Sequence, residues 1–152
     1  MNLHESIMVR GIRTELSAYE LMDSMPNRDG VLLLDSNMVM GIDHIRSSVL
    51  HAERAFSNGT NRSKTILTEI VLYLAGDRQI ANAMERMRAK GRDMVLVSLE
   101  HVDIDGLDVE IDDGLICATS EKAMLLGLDL SVDIPFEDQI LERVSAVDLM
   151  KR

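Results

Sequence analysis

Apolar residues along this chain recur with two different periods, and each period predicts its own kind of element. In "SIMVRGIR" (residues 6–13) and "GVLLLDS" (residues 30–36) apolar and β-branched side chains crowd into short runs bounded by turn residues. These runs predict two strands, the second buried on both faces. "DMVLVSL" (93–99) predicts another buried strand and "GLICA" (114–118) a fourth. Elsewhere the period is helical. Leu16, Tyr19 and Met22 predict a helix that Thr14 caps and Pro26 stops. Ile42, Ile45, Val49, Ala52 and Phe56 alternate three and four apart, which predicts a long amphipathic helix ending at the turn cluster "SNGTN".

"TILTEIVLYLA" (65–75) is apolar on nearly every side, as a helix at the centre of a small domain would be. Gly76 and Asp77 break it. A shorter helix follows, with Ile80, Met84 and Met87 on one narrow apolar stripe and Arg78, Asn82, Glu85 and Arg86 toward the other side. "SEKAMLLGL" predicts a short helix closed by Gly127, and "FEDQILERVSAVDL" a last helix with Ile140, Val144 and Val147 inward. Regular alternation of strand and helix is missing. The predicted fold is therefore α+β, a single domain over residues 1–152 with a small sheet of three to four strands packed with about six helices, and not a doubly wound dinucleotide fold.

Composition narrows the candidates further. Only 3% of the residues are aromatic, so the core must come from Leu, Ile, Val and eleven Met. No run approaches the length of a membrane span and the N-terminus lacks the apolar stretch of a signal peptide, so a cytoplasmic protein without membrane contact is expected. Cys117 sits in an apolar run and is expected to be a small buried hydrophobe. The net charge of −10 argues against nucleic acid, but it is unevenly spread. Residues 100–138 hold twelve acids against Lys122 alone, whereas residues 40–99 hold nine bases against six acids.

Catalytic signatures are missing: there is no P-loop, Rossmann glycine fingerprint, nucleophile elbow or zincin motif, and no enzyme is expected. "DIDGLDVEIDDG" fails as an EF-hand because Asp108 stands where glycine is required and Gly114 where the closing glutamate is required, which leaves a solvated acidic loop. His44 and His51 lie two turns apart on one helix, too far to share a metal. No metal and no cofactor are expected.

The break at Gly76-Asp77 carries the candidate chemistry. Glycine supplies a left-handed corner, and Asp77 is placed to cap the next helix. Arg78, Gln79 and Ile80 then set a guanidinium, an amide and an apolar surface beside the positive end of a helix dipole, where a phosphate or carboxylate can be held. Two readings stay open on spacing alone: an anion-holding corner, or a plain helical corner in which Asp77 satisfies the amides itself.

The run from Gly41 to Met87, and within it "LYLAGDRQIANAM", resembles the PRPK-binding protein family, the small subunit of the KEOPS complex; "IPFEDQILERVSAVDL" is similar to its C-terminal segment. The resemblance is good from Leu34 to Arg88, fair at Asp93–Leu96 and the C-terminus, and weak through the acidic stretch. It implies a non-catalytic subunit that docks on the complex's small atypical kinase, an ATPase, and holds the single-stranded 3′ CCA end of tRNA. The threonylcarbamoyl transferase subunit, an indirect partner, would then modify the adenosine next to the anticodon. So short and plain a version suits an archaeal member.

With that substrate in view, Arg78 and Ile80 are the candidate base-stacking surface, with Gln79 and Gly76 completing the corner. Arg62 and Lys64 are candidate contacts to the RNA backbone, while Tyr73 and Phe56 are expected in the core. Leu141 and Leu149 on the last helix are candidate kinase contacts. The competing expectation is a protein-only regulatory partner that activates a small kinase without touching RNA.

Overall fold

The computed structural model describes residues 2–151. After a short helix α1 (Leu3–Ser6), strand β1 (Met8–Arg13) leads to α2 (Ala18–Asp23) and β2 (Val31–Asp35). Three helices follow: α3 (Ile42–Asn58), α4 (Ile66–Ala75) and α5 (Ile80–Met87). Then come β3 (Asp93–Ser98), the two-residue β4 (Glu110–Ile111), α6 (Ser120–Leu125) and α7 (Phe136–Met150). The strands form one sheet in the order β2-β3-β1-β4, with every neighbouring pair antiparallel. The fold is α+β, as the order of runs predicts.

Alternation along the strands explains why the sheet is buried on both faces. Val9, Leu32, Leu34, Val95 and Val97 point to one side and join the apolar faces of α3, α4, α5 and α7 in the main core. Ile12, Val31, Leu33, Met94 and Leu96 point to the other side, where Leu21 and Met25 meet Val102 and Ile104 of the acidic segment. A satellite cluster joins Met40, Ala123, Leu126, Leu128 and Ile140 beneath α6 and the start of α7. From Glu69 to Ala75 every residue of α4 is buried, as expected of a central helix. None of the described helices is long and apolar enough to cross a membrane.

Five expectations need correction. "GLICA" is no strand: residues 113–116 form a 3-10 turn, and the fourth strand lies just before it. Gly11 explains the tight fit there, because a side chain on it would meet the Asp112 carbonyl at 2.0 Å. The carbonyls of Leu115 and Cys117, which a strand would offer to a neighbour, instead take bonds from the Lys122 ammonium at 2.6 and 2.8 Å. Cys117 itself is exposed.

Helix α2 is capped by Ser17 in a reciprocal box with Glu20, and Thr14 lies buried, its hydroxyl donating to the Asp108 carbonyl at 2.8 Å. Leu21 is fully buried with Leu16 and Met22 packed beside it at the edge of the same cluster, whereas Tyr19 of the expected stripe is 82% exposed. On α5 the buried residues are Ala83 and Met87, and Ile80 and Met84 face outward. The apolar stripe read from the sequence thus includes surface, which matters for the site.

Candidate nucleic-acid interface

Gly76 closes α4 in the left-handed conformation at φ 67°, and the N–H groups of Gly76 and Asp77 return to the Tyr73 and Leu72 carbonyls at 3.2 and 3.1 Å. Asp77 is not the cap of α5. Because four residues separate α4 from α5, Gln79 takes the cap position, and the Asp77 carboxylate accepts from the Gln79 N–H at 2.8 Å to fix the turn. Asp77 also faces Arg86 at 3.9 Å. The corner therefore presents Arg78, Gln79 and Ile80, all exposed.

The two candidate arginines meet on one feature that no spacing rule showed. Arg78 Nη1 donates to the Met150 carbonyl at 3.1 Å, and Arg62 Nη2 donates to the Lys151 carbonyl at 2.6 Å. The carbonyls at the end of α7 have no helical donor, and the dipole makes that end negative, so two guanidinium groups are drawn to it. Among the described residues none of Arg62, Lys64 and Arg78 is ion-paired with a carboxylate. Lys64 stands exposed just before α4. Gly76 sits half-buried against Arg143 of α7, so it shapes the corner.

A buried polar chain holds the Arg62 backbone and the end of α7 from below. Glu69, fully buried within α4, accepts from the N–H groups of Arg62 and Ser63 at 3.0 and 2.9 Å and is ion-paired with Lys151. Lys151 donates to the Tyr73 hydroxyl at 2.8 Å and stands 4.4 Å from the centre of its ring. The Tyr73 hydroxyl donates to Asp148, and the other Asp148 oxygen lies 2.8 Å from His51 Nδ1. Burial alone would raise the Asp148 carboxyl, but the bonds from Tyr73 and His51 outweigh it and hold the group below its usual range. The sequence held one signal for this chain of bonds: a charged Glu69 in a helix apolar on nearly every side must find a partner.

Tyr73 is fully buried and Phe56 half-buried, so neither forms a stacking platform. On the outer face of α7, Leu141 is half-buried and Leu149 is exposed, and both line a shallow groove bordered by Asp138 and Glu142. His44 is buried in bonds to Met40 and Leu74, and His51 is held by Asp148. Among the described residues no group of three His, Cys, Asp or Glu could hold a metal ion.

The family described as "Kinase binding protein CGI-121" matches residues 4–151. No curated protein matches the chain. The family match spans both the corner and the α7 groove, and the chain belongs to the kinase binding protein CGI-121 family.

Proposed function

We propose that this protein is a non-catalytic adaptor of the KEOPS complex in the cytoplasm, which binds the complex's small atypical kinase and holds the 3′ CCA end of tRNA. The threonylcarbamoyl transferase subunit would act on the adenosine next to the anticodon of the tRNA so delivered. The carrying observation is the corner itself: Arg78, Gln79 and Ile80 are exposed together, and Arg62 is drawn to the same helix end.

An unpaired RNA end offers base faces and a flexible backbone. Ile80 supplies an apolar surface and the planar Arg78 guanidinium a stacking face, while Arg62 and Lys64 supply charge for phosphates. Gln79 reads polar base edges with its amide. The Leu141 and Leu149 side of α7 is the kinase contact. The family's kinase-binding description supports the protein half of this reading.

The test is a gel-shift titration with intact tRNA and tRNA lacking CCA. Wild-type protein loses affinity when CCA is removed, and Ile80→Glu with Arg78→Ala abolishes tRNA binding while folding and kinase docking persist. Unchanged binding by the double variant removes this site. Equal, weak binding of both RNAs by the wild type favours the protein-only partner, the reading that the net charge of −10 supports.

A further inference from the structure

Between Met124 and Ile134 the chain exposes five large apolar side chains: Met124, Leu125, Leu130, Val132 and Ile134, each 42–66% exposed. An apolar patch that the fold leaves uncovered marks an interaction site. This one is built to stay open. Gln139 of α7 accepts from the Asp129 N–H at 2.9 Å and donates to the Asp129 and Ile134 carbonyls at 2.9 and 3.1 Å. Arg143 donates to the Leu126 and Gly127 carbonyls at 2.5 and 3.0 Å, and Asp129 accepts from the Ser131 N–H and hydroxyl. With the backbone already fixed, a partner would order little on binding.

The border of the patch says what kind of partner fits. Glu121, Asp129, Asp133, Glu137 and Asp138 flank and alternate with these side chains along the chain, all exposed. Of the two bases at the patch, Lys122 is turned inward and gives its ammonium protons to the Val39, Leu115 and Cys117 carbonyls, and Arg143 is spent on the Leu126 and Gly127 carbonyls. Such a ring repels phosphate and selects a protein whose apolar surface carries a cationic rim. The patch adjoins the start of α7, and Arg143 of that helix stands between it and the RNA corner, bonding the Leu126 and Gly127 carbonyls on one side and packing against Gly76 on the other.

We infer that the kinase docks on this acid-ringed patch as well as on the α7 groove, meeting it with an apolar surface rimmed by Lys or Arg. The inference rests on the kinase-binding reading above and names the surface and its chemistry.

The experiment titrates the purified small kinase encoded in the same genome into the full-length protein by calorimetry at several salt concentrations. Leu130→Ser with Val132→Ser weakens kinase binding roughly tenfold or more at every salt concentration, with thermal midpoint and tRNA affinity unchanged. Glu121→Lys with Asp133→Lys weakens it most at low salt. Wild-type affinity in both variants, with loss confined to Leu149→Asp, overturns this inference and leaves the kinase reading standing. A wild-type protein that binds no kinase overturns both. If light scattering shows a wild-type dimer that the serine variants split, the patch joins two copies of this chain and the inference also falls.

Discussion

Acidification gives a quantitative test of the packing between α3 and α4. His44 is fully buried, its Nδ1 accepting from the Met40 N–H at 3.1 Å and its Nε2 donating to the Leu74 carbonyl at 2.9 Å. Both bonds are made by the neutral ring with its proton on Nε2. A second proton would sit on Nδ1 and point at the Met40 N–H, donor against donor, with no water to take it. Burial, helped by the Lys122 ammonium and partly offset by the Leu74 bond, pushes His44 from its ordinary 6.5 down to about 4.

The unfolded chain therefore takes up a proton below pH 6.5 that the folded protein refuses until about pH 4. This contribution to stability is complete above pH 6.5 and is lost as the pH falls from there to 4. At pH 5 the unfolded state is favoured roughly 30-fold relative to pH 7.5, about 2 kcal/mol of a typical 5–15 kcal/mol total. Urea unfolding at pH 7.5 and 5.0, on wild type and His44→Gln, isolates the effect. Carboxylates held low, such as Asp148 and Glu53, affect both proteins alike and cancel in the difference. The variant is weaker at pH 7.5 but loses about 2 kcal/mol less on acidification. An identical loss in the two proteins refutes the argument.

The remaining predictions concern the elements that build the corner. Lys151→Met leaves the fully buried Glu69 carboxylate without its ion partner and lowers stability by about 3–5 kcal/mol, while adding Glu69→Gln restores part of the loss. A urea series reads both, and strict additivity of the two changes refutes the coupling. Gly76→Ala meets no clash, since the added carbon would lie 3.5 Å from Arg143 Cβ, but it must hold φ at 67° and costs about 1 kcal/mol. A stability change near zero would show that the corner relaxes out of the left-handed conformation.

The sequence carried the architecture where one period ran long enough to outvote local exceptions. α3 repeats its apolar positions over several turns, and β2 and β3 are apolar at almost every position because both faces of the sheet are covered. Short elements were less legible. Ser17 and Thr14 are both good caps, and only the Glu20 box and the Asp108 carbonyl decide between them. The corner residues could be named from the Gly-Asp break, but not their support. The Arg62 and Arg78 bonds to the end of α7 join positions 89 and 72 residues apart. Lys122 showed the same limit, since a lone base among twelve acids reads as surface until three carbonyls are seen to converge on it.

Net charge and RNA affinity are reconciled by which charges are paired and which bases stand at the corner. At physiological salt the screening length is about 8 Å, and between the acids of residues 121–138 and the corner stands the Arg143 guanidinium, which bonds the Leu126 and Gly127 carbonyls while its Cβ packs against Gly76. The potential felt by a phosphate at the corner is set mainly by Arg62, Lys64 and Arg78, together with the negative end of α7 that the arginines neutralise. Asp148 and Glu69 lie closer than the patch, yet each is committed: Asp148 to Tyr73 and His51, Glu69 to Lys151 and two backbone amides. The exposed acids of residues 121–138 can therefore select a cationic protein rim, and Asp112 and Asp113 pair with Arg13 and Arg10 of β1, without closing the corner to an anionic ligand. The same charges placed on α5 would have cancelled the corner outright, so the segregation of charge, rather than its total, permits the two proposed activities to share one small fold.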